Sequence, residues 1–432
     1  MPPFLFGTVG LHWAGLIIIV VKVVLAFVLL LVTVLMTIWF ERKAISDMQN
    51  RIGPNRAGPF GLLQSLADGI KLFFKEDLVP DRSDRFVFKL APYLSVVPAF
   101  ITFTIVPLGG IVTVFGNRTE LQVADPSIGI LLLLAMSSVA VYGVMLAGWS
   151  SGSKYPLLGS VRASAQMVSY EAAMGLSIVA VVLVTGSLST RTIVDAQTGL
   201  LYGFLPHWNI LRLGIVPFLI FLVAATAETN RPPFDLVEAD SELVGGFNTE
   251  YSSIRFAMFY LAEYMNTVTM SAVIVTLFFG GPDGPDPSVL HWLWPIVWFA
   301  LKTIVFVFFY IWLRAALPRL RYDQLMDLGW KVLIPASLAW LLVVAAMQIN
   351  RGLGIAVVAL CLVGAAVLAR ALSVSSARSP APGLAPDPSG AANQELSRGK
   401  NEPWTTKSSS EPSTRVVRRL PSRGSSFTGG ED

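Results

Sequence analysis

The sequence predicts an all-α polytopic membrane protein, and three observations predict it. Hydrophobic residues make up 54% of the 432-residue chain and charged residues 14%, where an ordinary soluble domain carries about 25% charged residues. The mean hydropathy is +0.63. The apolar residues also fall in continuous runs of the length that crosses a bilayer as a helix, without the two-residue alternation of a membrane barrel. A soluble globule of this length could not hide so much apolar surface behind a charged exterior.

Nine windows reach or approach spanning length: 16–40, 86–108, 128–149, 166–187, 208–228, 256–280, 292–313, 330–347 and 353–371. The first is long enough to require tilt or projection beyond the hydrocarbon. It lacks the basic start and cleavage site of a signal peptide, so it is read as a retained helix. Only residues 348–352 separate the last two windows, which predicts a hairpin.

Lys and Arg set the orientation. Residues 41–89 hold nine of them: Arg42, Lys43, Arg51, Arg56, Lys71, Lys75, Arg82, Arg85 and Lys89. Loop 109–127 holds only Arg118, loop 188–207 only Arg191, and loop 281–291 none. The odd-numbered loops and the C-terminus are therefore read as cytoplasmic and the N-terminus as outside. Residues 374–432 contain 25 Ser, Pro or Gly among 59 and too little apolar area to offset chain entropy, so a disordered tail is expected. Its basic cluster, Arg415, Arg418, Arg419 and Arg423, is read as solvated, with anionic lipid as the alternative contact.

Several function classes drop out. One cysteine, Cys361, allows no disulfide framework, Cys-ligated zinc or self-contained iron–sulfur cluster. His12, His207 and His291 have no metal-ligand spacing. A net charge of +4 gives no nucleic-acid footprint. No internal repeat supports an inverted-repeat transporter.

The fifth loop carries the first chemical signal. Glu228, Asp235, Glu238, Asp240, Glu242 and Glu250 lie in one stretch with Arg231 as its only cation. On a helix Asp235 and Glu238, and Glu238 and Glu242, would share a face and repel. Such crowding favours shared protons and suits proton uptake and relay. A solvated acidic loop is the alternative, but Pro232-Pro233, Gly245-Gly246 and the interleaved apolar residues indicate packing. Ionisable residues inside the spans are expensive and functional by default. Glu171 lies beside Tyr170, Glu263 between Tyr260 and Tyr264, and Lys302 in the seventh window, while Glu41 and Glu228 close the first and fifth. Lys22 lies near the outer end and can snorkel. For Lys302 and Glu171 the plain alternative to a proton path is an ion pair inside the bundle. The buried acids lie towards the acidic loop, so a relay from that loop into the bundle is expected.

The segment after the first window holds a rigid turn, Gly53-Pro54-Asn55 to Gly58-Pro59. Leu62, Leu63, Leu66, Ile70, Phe73 and Phe74 then recur at helical spacing, with Asp68, Lys71 and Lys75 between them. This predicts a cytoplasmic amphipathic helix lying on the membrane surface. It has none of the residues of a phosphate-binding loop.

These segments together resemble a known family. Glu41-Arg42-Lys43, Gly53-Pro54-Asn55, Ala67-Asp68, Lys75-Glu76, Ser169-Tyr170-Glu171, the run from Ala227-Glu228-Thr229 through Glu250-Tyr251, Ala262-Glu263-Tyr264 and Arg319–Met326 are similar to the H subunit of bacterial NADH:quinone oxidoreductase, respiratory complex I. The likeness spans about residues 15–348. It implies an eight-helix membrane core over residues 1–350, an additional transmembrane helix over 351–373, and a tail over 374–432 to which it assigns no role. It implies a quinone substrate, menaquinone or ubiquinone, with flavin, iron–sulfur clusters and NADH held by other subunits. The implied partners are a large hydrogenase-like subunit, a terminal iron–sulfur subunit, neighbouring small membrane subunits and membrane lipid. By resemblance, Arg51 lines the quinone entrance, and Glu41, Arg42, Asp68 and Glu76 the polar chamber and its supports. Arg231, Asp235, Glu238, Asp240, Glu242 and Glu250 form the charged loop beside the quinone site. Tyr170, Glu171, Glu228 and Glu263 begin an acidic path into the membrane. Asp240 stands where relatives usually carry Glu, one methylene longer. The Ala-, Val- and Leu-rich composition and long tail suggest an actinobacterial source in whose plasma membrane the chain would sit. Competing readings are the equivalent subunit of a membrane-bound hydrogenase, a stand-alone ion transporter, and a passive anchor.

Overall fold

The computed structural model describes residues 13–114, 117–201, 205–236, 244–285, 291–350, 352–361 and 364. Two units are distinguished, Met1–Val363 and Gly364–Asp432; of the second only Gly364 is described, and everything below concerns the first.

Among the described residues, seven helices are long and apolar enough to cross a membrane. They are α1 (Trp13–Met48), α3 (Arg85–Thr104), α4 (Gly129–Ser150), α5 (Lys154–Thr185), α9 (Ser253–Phe278), α10 (Trp294–Ala316) and a composite span, Tyr322–Ile349. That last span comprises α11 (Tyr322–Asp327), a π-helical turn (Leu328–Leu333) and α12 (Ile334–Ile349). The amphipathic segment forms α2 (Gln64–Phe74). Short helices α6 (Thr190–Asp195) and α7 (Asn209–Arg212) precede α8 (Ile215–Glu228), and α13 is Gly352–Cys361. Two antiparallel ribbons complete the described residues: β1 (Ile111–Val114) with β2 (Asn117–Glu120), and β3 (Leu200–Leu201) with β4 (Leu205–Pro206).

The fifth window differs from its expected extent. Residues 208–228 do not form one helix: Gly214, at φ 83°, separates α7 from α8. The 14 residues of α8 reach about 21 Å, short of the roughly 30 Å of hydrocarbon. The ninth window is described as helix only over Gly352–Cys361. The first helix extends beyond the apolar window, because Arg42, Lys43 and Asp47 add polar turns to the same continuous helix.

Burial tells which helix is central. In α9, 83% of the most apolar window is buried, against 22% in α1. Tyr170 and Met174 of α5, Phe221 of α8 and Phe278 of α9 are fully buried in one core. The outward face of α1, including Ile17, Val20, Leu25 and Val32, is bare, as a lipid-facing helix requires. So is the apolar face of α2: Phe73 and Phe74 are 70% and 89% exposed. The start of α9 is tied to the end of α2, where Ser253 Oγ donates to Leu72 O (3.0 Å) and Lys75 O (2.7 Å).

Small residues permit the closest approaches, as is usual between membrane helices. A Cβ on Gly159 of α5 would lie 2.8 Å from Gly246 Cα and 3.0 Å from Phe247 N. These are backbone atoms of the turn after the acidic loop, so no side-chain rotation relieves the clash. Gly159→Ala is expected to lower the stability of the detergent-solubilised protein by about 1–3 kcal/mol. Gly175→Ala in the same helix, where a Cβ meets nothing within 4 Å, should be neutral or slightly stabilising. Thermal unfolding followed by size-exclusion chromatography checks the contrast.

A buried charge cluster as the candidate functional site

The site begins where α8 stops. Glu228 is the last residue of α8, Thr229 caps it, and Asn230 takes a left-handed φ of 52°. Asn tolerates that conformation better than most residues. The Pro232-Pro233 bond that follows is cis, and two prolines cannot continue a helix. Gln166 of α5 pins this reversal from the side, donating through Nε2 to Ala227 O and Phe234 O, both at 2.8 Å. The reversal buries Arg231 to 3% exposure.

Four charges from four segments meet at Arg231. Its Nη1 donates to Glu41 Oε1 at 3.3 Å and Oε2 at 3.2 Å, two turns before the end of α1. Its Nε lies 3.3 Å from Glu263 Oε1 on α9. Arg314, in the last turn of α10, donates to Glu41 Oε1 from the other side. The guanidinium carbon of Arg231 sits 4.1 Å from the centre of the Tyr264 ring, a close cation–π arrangement. Tyr264 and Tyr260 hydroxyls are 3.1 Å apart. Burial alone would weaken the hold of Arg231 on its proton. The carboxylates of Glu41 and Glu263 outweigh it and hold the group above its ordinary range. Two guanidinium and two carboxylate groups thus balance in charge inside the protein.

A second layer lies one turn deeper. Glu228 is 1% exposed, and its Oε1 accepts from Ser137 Oγ on α4. Glu171 on α5 accepts from Ser138, the neighbouring residue of α4. Glu228 and Glu263 line one cavity together with Ser95, Ser137, Asn248 and Asn266. Its volume of about 70 Å³ has room for several water molecules.

The expected residues are brought together unevenly. Glu41, Arg231 and Glu263 form the cluster, and Glu228 joins it through the cavity. Arg42 is one helical step from Glu41 and pairs instead with Asp68 of α2 at 2.5 Å, with Gln64 also donating to Asp68 at 3.1 Å. Tyr170 is fully buried, and its hydroxyl donates to Leu325 O at 2.8 Å. Asp235 and Glu250 are half-buried on either side of the acidic loop. Arg51 and Glu76 are exposed, the former donating to Gln49 at 2.6 Å. Glu238, Asp240 and Glu242 lie outside the described residues.

The ion-pair alternative for Lys302 is not what forms. Lys302 donates to Phe279 O (2.8 Å), Gly281 O (3.0 Å) and Asp283 O (2.7 Å) in the loop joining α9 to α10. It lies 5.2 Å from the Trp208 ring centre. Glu171 binds Ser138, so the Lys302–Glu171 pair is not formed. Burial pushes the Asp283 carboxyl above its ordinary value, against the pull of Lys302. Lys22 donates to Thr119 Oγ1 at 3.2 Å on β2.

Four residues of the site carried no sequence signal. Arg314, with Arg319 and Arg321, stands after the seventh window as an ordinary cytoplasmic loop charge. Gln166, Ser137 and Ser138 looked like the small or polar residues common in any packed span. Only an estimate of which helix faces meet could have raised them.

The sequence profile of the NADH dehydrogenase family matches residues 21–345. The NADH-quinone oxidoreductase H subunit of Frankia alni is 54% identical over 338 residues, covering 77% of this chain and 73% of the relative. The protein of the same name from Frankia casuarinae matches to the same extent, 54% over 338 residues. That of Streptomyces avermitilis is 52% identical over 342 residues, covering 77% of this chain and 74% of the relative. The match contains every element of the charge cluster, from Glu41 to Arg314, and the chain belongs to the NADH dehydrogenase family.

Proposed function

We propose that the chain is the H-type membrane subunit of an NADH-quinone oxidoreductase, coupling quinone reduction to proton translocation. The observation that carries this is the charge-balanced cluster of Glu41, Arg231, Glu263 and Arg314, followed by the buried Glu228 and the half-buried Glu171. A structural anchor has no need of ionisable groups at such depth, since each costs several kcal/mol to bury. The relatives, all named as H subunits of NADH-quinone oxidoreductase, favour this over the hydrogenase-type and stand-alone transporter readings.

In this reading the quinone, menaquinone or ubiquinone, enters past the bare apolar faces of α1 and α2. Its head group approaches the polar side of Glu41, Arg42 and Asp68, beneath the acidic loop with Asp235, Glu238, Asp240, Glu242 and Glu250. Arg51 and Glu76 stand at the entrance and the support of α2. NADH, flavin and the iron–sulfur clusters belong to partner subunits, among them a large hydrogenase-like subunit and a terminal iron–sulfur subunit. Small membrane subunits flank the bundle, covering part of the exposed apolar helix faces. The assembly sits in a bacterial plasma membrane with the N-terminus outside and the C-terminus in the cytoplasm, as the Lys and Arg distribution supports. Reduction of the quinone changes the charge beside Arg231. The carboxylates in contact with it then gain or release protons, and Glu228 and Glu171 pass the change into the membrane.

Affinity isolation in mild detergent tests the assembly. The chain is expected in a large particle that contains flavin and iron and reduces quinone with NADH. A particle with iron but neither flavin nor NADH activity would move the protein to the hydrogenase-like relatives. Glu171→Gln and Glu228→Gln are expected to lower quinone-linked turnover and pumping by at least about tenfold in assembled complexes. Normal values in both would leave only the anchor reading. Arg231→Ala takes the guanidinium from Glu263 and leaves Glu41 with Arg314 alone, so one carboxylate charge is uncompensated, and it should cost about 3–5 kcal/mol, seen as loss of assembled complex on native gels.

A further inference from the structure

Two adjacent hydroxyls serve two different acids, one buried and one half-buried. Ser137 and Ser138 are consecutive on α4, so they leave the helix about 100° apart. Ser137 Oγ meets Glu228 Oε1, at the end of α8. Ser138 Oγ meets Glu171 Oε1, on α5. One turn of α4 therefore stands between the two acids and touches both.

The two hydroxyls differ in what else they reach. Ser138 Oγ also lies 3.1 Å from Leu134 O, one turn back on its own helix. A hydroxyl has one proton to donate and lone pairs that accept. Ser138 can give its proton to an ionised Glu171. It can equally turn that proton to Leu134 O and accept one from a protonated Glu171. The hydrogen bond between Ser138 and Glu171 Oε1 then persists in both protonation states, and the change between them needs only a rotation about the Cβ–Oγ bond. Ser137 holds one oxygen of Glu228. The other, Oε2, is buried and has no hydrogen-bond partner among the described residues, and Glu228 lines the polar cavity shared with Glu263. Its exchange with water is thereby left to the cavity side.

We propose that Ser137 and Ser138 are positioning residues of the proton path, Ser137 as a clamp on Glu228 and Ser138 as an adaptor that keeps Glu171 hydrogen-bonded in both protonation states. The proposal rests on the reading that these acids carry protons. When Glu171 takes a proton from water, one O–H bond breaks in the donor and one forms on the carboxyl, while Ser138 keeps its own proton and turns. Without the hydroxyl, Glu171 Oε1 loses this partner in both states, and in a half-buried site the ionised state suffers most, since desolvation penalises the charged form. The path would then stall in the other state.

Thr and Val have nearly the same shape and differ in the hydroxyl, so the test compares them at each position in the assembled complex. Quinone-linked turnover and proton pumping are normalised to NADH oxidation by ferricyanide, which counts assembled complexes. Ser138→Val and Ser137→Val are expected to lower both by roughly tenfold, and Ser138→Thr and Ser137→Thr to restore them to within about twofold. Ser→Ala, which needs no extra room, gives the same contrast should Val hinder assembly. Equal behaviour of Thr, Val and Ala would overturn the proposal. Glu171→Gln and Glu228→Gln are measured beside them. Loss in the Gln variants with none in the Val or Ala variants would reject the serine roles alone. Full pumping in the Gln variants would reject the underlying proton reading and the serine roles with it.

Discussion

A guanidinium in a low-dielectric interior must be paired, and much of this fold answers to that constraint at Arg231. Unpaired burial would cost several kcal/mol after every relaxation. The pairing draws Glu41 from one end of the sequence and Glu263 from the middle, 190 residues from Glu41 to Arg231 and 32 more to Glu263. Arg314 then becomes necessary, because two carboxylates against one guanidinium would leave a net negative charge inside the protein. Each partner lies on a different helix. The cluster therefore fixes how α1, the end of α8, α9 and the end of α10 meet, and it does so with groups whose charge can respond to a neighbouring reaction.

The C-terminal end of α9 is held by neutral contacts. Gln197 donates to Thr276 O at 2.9 Å and accepts from Gly280 N at 3.0 Å. Asn209 donates to Leu277 O at 2.8 Å, and Lys302 closes the loop beyond it. These satisfy carbonyls that a helix end leaves without intrahelical partners. The central helix is thus fastened by amides and an ammonium at its end, by Ser253 at its start, and by titratable groups at Glu263 between them. A change of charge at the cluster acts on the helix between these two anchors.

Much of the architecture was legible in the chain. Seven spans follow from apolar runs, because in lipid a long apolar segment has no alternative to a helix. The amphipathic α2 follows from its periodicity. Glu171, Glu228 and Glu263 stood out because charge within a span is costly. The break between α7 and α8 was not legible from hydropathy, which averages over the left-handed Gly214. Nor was the π-helical turn at Leu328–Leu333, where Gly329 approaches the Tyr170 ring to 3.4 Å from an added Cβ. Packing decided both.

By itself, the sequence determined the class of fold, the family and the residues too expensive to be accidental. These are properties of single residues and short periods, which transfer energies and helix geometry govern directly. The tertiary structure decided the pairings: that Arg42 goes to Asp68 while Glu41 goes to Arg231 and Arg314, that Lys302 serves loop carbonyls and not Glu171, and that two ordinary serines hold Glu228 and Glu171. A pairing depends on which helix faces meet across the bundle. That is settled by packing among segments far apart in the chain, to which hydropathy, charge counts and periodicity are blind.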